Sequence, residues 1–209
     1  KRQGWNERRV RAEGKDVRVI HLHPSSHAGY YPGAAQLHMK MIVDAESDAI
    51  LGAQIVGEEG VDKRIDVIAT AMRAGLSATD LADLELAYAP QFGSAKDPIN
   101  FAGFINDNIA RGEKTVQWHE LDERLASGAL LVDVRSPEEF ASGAIPGAVN
   151  IPLDELRVRH EEIADHDDVI VHCQVGLRGH NAARLLTNLG YDVANLDGGY
   201  LTWTNGQED

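Results

Sequence analysis

Val169-Ile170-Val171-His172-Cys173-Gln174-Val175-Gly176-Leu177-Arg178-Gly179-His180 decides how this chain reads. The run from Val169 to His172 is short, apolar and β-branched, as suits a strand buried on both faces. A glycine-bearing loop follows, and a helical pattern covers Ala182 to Leu189. Strand, tight loop and helix in that order mark a parallel α/β sheet, whose ligands bind outside the carboxyl ends of the strands, where Cys173 falls. A helix beginning around Gly179 points its free N–H groups back at the loop and favours an anion there, such as a thiolate. Cys173 is therefore the candidate nucleophile, with Arg178 beside it, and Gln174, Val175, Gly176 and Leu177 form the candidate substrate-binding loop.

The spacing separates two chemistries. Cysteine phosphatases hold phosphate in a loop with five residues between Cys and Arg, whereas only Gln174 to Leu177 intervene here, and a tighter loop suits one sulfur atom better than a phosphoryl group. Working outward, Ala129 to Val134 and Val193 to Leu196 are further apolar runs, and Leu121 to Leu125 is helical in pattern. This part of the chain reads as an α/β domain with a central parallel sheet.

Arg111-Gly112-Glu113-Lys114-Thr115 ends one helical pattern before a fresh strand signal, so the sequence predicts two domains, 1–111 and 115–209. In the first, Val17 to His21 is β-branched-rich, Leu37, Met39, Met41 and Val43 alternate with more polar neighbours, and Ile50 to Val56 resumes after a turn over Asp44 to Asp48. That predicts an antiparallel hairpin with one buried face. Val61, Ile65, Ile68 and Met72 form a helical stripe stopped by Gly75. Asp97-Pro98 is an N-cap with proline at the first helical position, opening a helix that runs to Gly112. The first domain reads as α+β.

Composition narrows the function. The formal net charge is −13 over 209 residues, so no basic face is expected and nucleic acid is not an expected partner. Acidity concentrates downstream, with 12 basic and 15 acidic residues in 1–110 against 8 and 18 in the remainder. The single cysteine excludes an internal disulfide framework and a Cys-rich metal site. No apolar run reaches the roughly 18 residues of a membrane span, and the start lacks a secretory signal, so a cytoplasmic location is expected. His21, His23 and His27 crowd one segment, but no carboxylate or cysteine completes a ligand set nearby, and no metal is expected.

The second domain resembles a rhodanese. Besides the Cys173-to-Arg178 loop it carries Leu131-Val132-Asp133-Val134-Arg135-Ser136-Pro137-Glu138-Glu139-Phe140, then Gly143-Ala144-Ile145-Pro146-Gly147-Ala148-Val149-Asn150-Ile151-Pro152, and finally Leu196-Asp197-Gly198-Gly199-Tyr200. Ala144 stands where the family often has His. The resemblance implies that Cys173 accepts a sulfane sulfur as a persulfide, that the loop amides stabilise it, that Arg178 attracts an anionic donor or acceptor, and that Asp133 and Arg135 brace the loop.

The segments His23-Pro24 to Gly33 and Leu86 to Pro98 make roughly residues 10–110 resemble the dimerisation domain of flavin-dependent pyridine nucleotide-disulfide reductases, in the coenzyme A-disulfide reductase branch. In that branch a Tyr from each segment reaches towards the partner's flavin and its disulfide or persulfide substrate, and the matching positions are Tyr30, with Tyr31 as a substitute, and Tyr88. The resemblance implies a homodimer through residues 1–111, small-molecule sulfur donors and thiol acceptors as partners, and the C-terminal portion of a longer reductase that uses FAD, NAD(P)H and coenzyme A. With no glycine-rich nucleotide fingerprint and one thiol, no cofactor is expected on this stretch alone. A free-standing thiosulfate sulfurtransferase and a noncatalytic binding module are the alternatives.

Overall fold

The computed structural model describes residues 1–207, and the last two residues of the predicted second domain lie outside the described residues. The chain divides into two units, Lys1–Gly112 and a second that begins at Glu113.

In the first unit, strands β1 (Arg2–Gly4), β2 (Val17–Leu22), β3 (His38–Asp44) and β4 (Ile50–Val56) form one antiparallel sheet in the order β1-β4-β3-β2. Helix α1 (Glu7–Ala12) packs against β2. Helices α2 (Val61–Ala74) and α3 (Pro98–Ala110) add to the core, in which Ile65, Ile68 and Ala71 of α2 and Ile99 and Ala102 of α3 join Ile20, Met39, Met41 and Ile55 of the sheet and Leu37, Ala78 and Leu81 of the connections. Asp97 caps α3 in a reciprocal capping box with Asn100, and Pro98 takes the first turn.

The hairpin has more than the single buried face expected. Val19 and Ile42 are paired across β2 and β3 and are both buried, although neither joins the main core. A short helix is enough to cover this patch, since α1 lies against β2 and its Val10 is fully buried. The ladder between β3 and β4 also shifts register between Ile42 and Val43, which breaks the strict alternation.

The second unit is built from β5 (Thr115–Val116), α4 (Leu121–Ala126), β6 (Leu130–Asp133), α5 (Pro137–Ala141), β7 (Val149–Asn150), α6 (Leu153–Arg159), β8 (Val169–His172), α7 (Leu177–Asn188), β9 (Val193–Leu196) and α8 (Gly199–Gly206). Its sheet is parallel throughout, in the order β5-β9-β8-β6-β7. Every residue of β8 and β9 is buried. Alternate residues feed two cores: Val132, Val169 and Val171 enter one with Leu186, while Leu131, Ile170 and Ala194 enter the other with Leu121. That is why these strands read as continuous apolar runs.

One boundary differs from expectation at the place that matters most. Helix α7 begins at Leu177, two residues before Gly179, so Leu177 and Arg178 belong to the first helical turn. Gly176 makes this possible, because at φ +102° it takes a backbone conformation that disfavours a side chain and turns the strand exit directly into the helix.

Candidate functional site

Cys173 sits where β8 ends, 1% exposed, with its sulfur 3.2 Å from the Gly176 amide that donates to it. Gln174, Val175 and Gly176 are half-buried and Leu177 is exposed. The loop's carbonyls are drawn away from the sulfur by three donors. The Tyr200 amide donates to Cys173 O at 2.8 Å, the Leu201 amide to Gln174 O at 3.0 Å, and the Asn195 Nδ2 to Gly176 O at 3.2 Å. With those carbonyls engaged by the first turn of α8 and by β9, the Gly176 amide faces the thiol, an arrangement that suits an anion. Gly199 allows the approach: at φ +64°, a Cβ there would lie 2.5 Å from Cys173 O and 2.9 Å from Gly176 N.

Beneath the loop lies a buried ion pair. Arg135, 2% exposed, donates to Asp133 Oδ2 through Nη2 at 2.7 Å and through Nε at 3.0 Å. Nη1 reaches Gln174 Oε1 at 3.1 Å, Nη2 donates a second time to Gly143 O at 2.6 Å, and the guanidinium lies 4.2 Å from the Tyr200 ring centroid. One guanidinium thus ties together β6, the Gly143 turn, the Cys173 loop and α8. Asn150 adds support by donating to the carbonyls of Asp133 and Arg135.

Arg178 is engaged by a carboxylate. Both its terminal nitrogens donate to Glu139, at 2.7 and 2.6 Å. The bond from Arg178 is the main cause that holds the Glu139 carboxyl down to about 2, with help from the Ser136 amide. Sequence reasoning passed over Glu139. The signal was present as Ser136-x-x-Glu139, a capping box that fixes this carboxylate in the first turn of α5. His172 was missed as well. It is fully buried beside Asp133, 3.6 Å from Nε2 to Oδ2, and burial pushes its pKa down, so it stays neutral there.

In the first unit the two tyrosines named from separate segments come together. Tyr30 and Tyr88, 58 residues apart, share a hydrogen bond between their hydroxyls, and both rings are exposed. The bond from Tyr30 raises the Tyr88 phenol above its ordinary value. Tyr31 packs edge-on against His27 instead. The tyrosine segments are laced together underneath, with the Ala28 amide donating to Gly93 O at 2.9 Å and Lys63 to Phe92 O at 2.6 Å. Arg64, 1% exposed, donates to Ser26 O at 2.7 Å and to Asp97 Oδ2 at 2.9 Å. Of the crowded histidines, His23 meets His38, Nδ1 to Nδ1, at 2.9 Å. Among the described residues no group of three or more His, Cys, Asp or Glu could hold a metal ion, and no helix is long and apolar enough to cross a membrane.

Comparison with known proteins bears on both units. A family model for the dimerisation domain of pyridine nucleotide-disulphide oxidoreductases matches residues 2–97, and one for the rhodanese-like domain matches residues 117–206. The coenzyme A disulfide reductase of Staphylococcus aureus (strain bovine RF122 / ET3-1) is 43% identical over 89 residues, which are 43% of this chain and 20% of that protein. A crystal structure of reduced Bacillus anthracis CoADR-RHD superposes with a TM-score of 0.94 at 48% identity, over 97% of this chain and 36% of that one. The structure of an NAD-dependent persulfide reductase from A. fulgidus gives a TM-score of 0.87 at 36% identity, with the same coverage. The chain spans about a fifth of the curated relatives it matches and about a third of these solved chains.

Proposed function

Residues 2–97 are a pyridine nucleotide-disulphide oxidoreductase dimerisation domain and residues 117–206 a rhodanese-like domain, and from that premise we propose that the chain is the sulfur-relaying C-terminal portion of an FAD- and NAD(P)H-dependent coenzyme A-disulfide, persulfide or polysulfide reductase. Cys173 carries sulfane sulfur as a persulfide. The observation that carries this reading is the Gly176 amide aimed at the Cys173 sulfur from 3.2 Å, at the mouth of α7.

Transfer runs in two displacements. The Cys173 thiolate attacks the outer sulfur of a donor, an S–S bond forms as the donor's own breaks, and the leaving group departs with the electron pair. A thiolate acceptor then attacks the outer sulfur of the Cys173 persulfide and Cys173 leaves as thiolate. Negative charge stays near the loop through both steps, where the loop amides and the end of α7 are worth most. Asp133 and Arg135 are positioning residues, since Arg135 reaches the loop through Gln174 and Asp133 holds Arg135.

The turn after β8 does not fit FAD. A dinucleotide site needs several glycines in the turn between strand and helix, whereas the turn after β8 is occupied by Cys173, Gln174 and Val175 before its one glycine at Gly176. Flavin and coenzyme A are assigned to the rest of the parent. In the first unit, residues 1–111 supply the homodimer surface, and the Tyr30–Tyr88 pair donates a hydrogen bond to a developing thiolate across it.

Intact-mass spectrometry after exposure to thiosulfate or coenzyme A persulfide tests the relay. A gain of about 32 Da that cyanide removes, and that Cys173→Ser lacks, is the expected result. No gain with any donor would sink it.

A further inference from the structure

Arg178, the cation of the Cys173 loop, already has an anion of its own. Arg178 donates through both terminal nitrogens to the two carboxylate oxygens of Glu139, the fork-to-fork geometry in which Arg binds a carboxylate or an oxyanion. Its charge is favoured first by Glu139 and to a smaller degree by the Cys173 sulfur, five residues before it at the other end of the loop. Both partners are about one third exposed, so the pair lies at the rim of the loop and within reach of a ligand. Glu139 is itself fixed from behind, because its Oε2 accepts the Ser136 amide at 2.9 Å and Ser136 Oγ accepts the Glu139 amide.

We infer that Glu139 is a specificity-determining residue which occupies Arg178 and thereby turns the Cys173 loop against donors that present an oxyanion. The inference rests on the reading of Cys173 as a sulfur acceptor. A dianionic sulfonate donor such as thiosulfate has to displace Glu139 from the fork or lie beside a carboxylate that cannot leave. A persulfide reacts at its outer sulfur through its protonated form, which carries no charge there and meets no such competition. In the first case the Cys173 thiolate bonds to the sulfane sulfur, the bond to the sulfonate sulfur breaks, and sulfite leaves with the electron pair. In the second the same thiolate takes the outer sulfur, the S–S bond of the donor breaks, and the donor thiolate leaves. The substrate class favoured by this rim is therefore the organic persulfide. The bond from Arg178 keeps Glu139 a carboxylate at neutral pH.

The test is the rate of persulfide formation on Cys173, followed by intact mass, with thiosulfate and with 2-hydroxyethyl persulfide as donors. Glu139→Gln keeps the acceptor oxygen of the capping box while removing the charge. It should speed loading from thiosulfate about fivefold, the scale of a partly exposed ion pair, and change loading from the persulfide less than about twofold. Glu139→Asp, which keeps the charge, should restore the wild-type preference. If Glu139→Gln does not fold, Arg178→Gln asks the same question from the other side, since an unpaired Glu139 should slow thiosulfate far more than the persulfide. An unchanged ratio of the two donors in every folded variant overturns the assignment of Glu139 while leaving the relay intact. A wild-type chain that gains no mass from either donor overturns both.

Discussion

Each unit places a buried Arg–Asp pair under a candidate reactive segment, yet the two arrangements point in opposite directions. In the second, Asp133 and Arg135 hold a loop whose thiol is 1% exposed and whose donors, Gly176, Tyr200, Leu201 and Asn195, all come from the same unit. In the first, Arg64 and Asp97 hold segments that turn Tyr30 and Tyr88 outward, 76% and 48% exposed. The thiol loop is complete within its own fold. The phenol pair has hydroxyls that satisfy each other and little else, so its chemistry needs a surface brought to it. The same device, a guanidinium that ties a loop's carbonyl oxygen or side chain to a strand or helix cap, thus serves a self-contained site in one case and an incomplete one in the other.

The largest effects should come from breaking those pairs. Removing one partner strands a buried charge, at a cost of about 3–5 kcal/mol. Arg135→Ala should lower stability by that order in urea unfolding and abolish sulfur loading of Cys173, because Gln174 and Gly143 lose their tie together. Arg64→Ala should destabilise comparably while loading continues at the wild-type rate under conditions where the chain stays folded. Loading lost in both variants would show that the two sites are not separable as described.

A smaller and more local contrast uses glycine. Gly199→Ala sets a Cβ against Cys173 O at a left-handed backbone position, and about 2–3 kcal/mol of strain is expected, read as a lower unfolding midpoint and slower persulfide formation. Gly29→Ala, next to Tyr30, meets nothing within 4 Å and should stay within about 0.5 kcal/mol of wild type. Equal effects would mean that the second loop is no tighter than the first.

Much of this contrast was legible in the sequence, and the illegible part has a common cause. Unbroken apolar runs gave the parallel sheet because both faces of β8 and β9 are covered, and the offset from Cys173 to Gly176 gave the turn because backbone conformation is local. Tyr30 and Tyr88 could be named from their segments, although nothing in either segment encodes that their hydroxyls meet. The sequence puts the start of α7 around Gly179, two residues late, since Leu177 and Arg178 carry no helix-start signal of their own. Arg64 reads as one more polar residue of an amphipathic helix, and its burial depends on Asp97 and Ser26 from other elements. Glu139 reads as a helix cap, and its hold on Arg178 spans 39 residues. Side chains that serve two elements at once leave only half of their reason in local sequence.

Acid should weaken the first unit by a route that can be checked. Burial, then the neighbouring His38 and His21, lower His23 from 6.5 to about 4. The unfolded chain therefore binds a proton near pH 6.5 that the folded chain refuses until about pH 4, so this stabilising difference is whole above 6.5 and shrinks as pH falls through that window. Glu139 in the second unit acts lower, its contribution present above about 4.5 and lost as pH falls towards about 2. Urea midpoints between pH 7 and 4 should slope downward in the wild type and flatten in His23→Gln. A slope that survives the substitution assigns the acid sensitivity elsewhere.

The smallest effect is the most telling for the first unit. Tyr30→Phe and Tyr88→Phe each delete one hydroxyl of an exposed pair, so stability should change by less than about 0.5 kcal/mol, and sulfur loading of Cys173 in this chain should not change. Tyr88 should also lose its raised phenol pKa in Tyr30→Phe, since the bond from Tyr30 is the main cause of that rise, and a spectrophotometric titration of the phenols near pH 10 would read it. A pair kept exposed, costing the fold almost nothing to remove, is poorly explained as packing. If either substitution instead cost several kcal/mol, the hydroxyl bond would be holding the two segments together, and the proposed role of these phenols towards a thiolate on another surface would lose its ground.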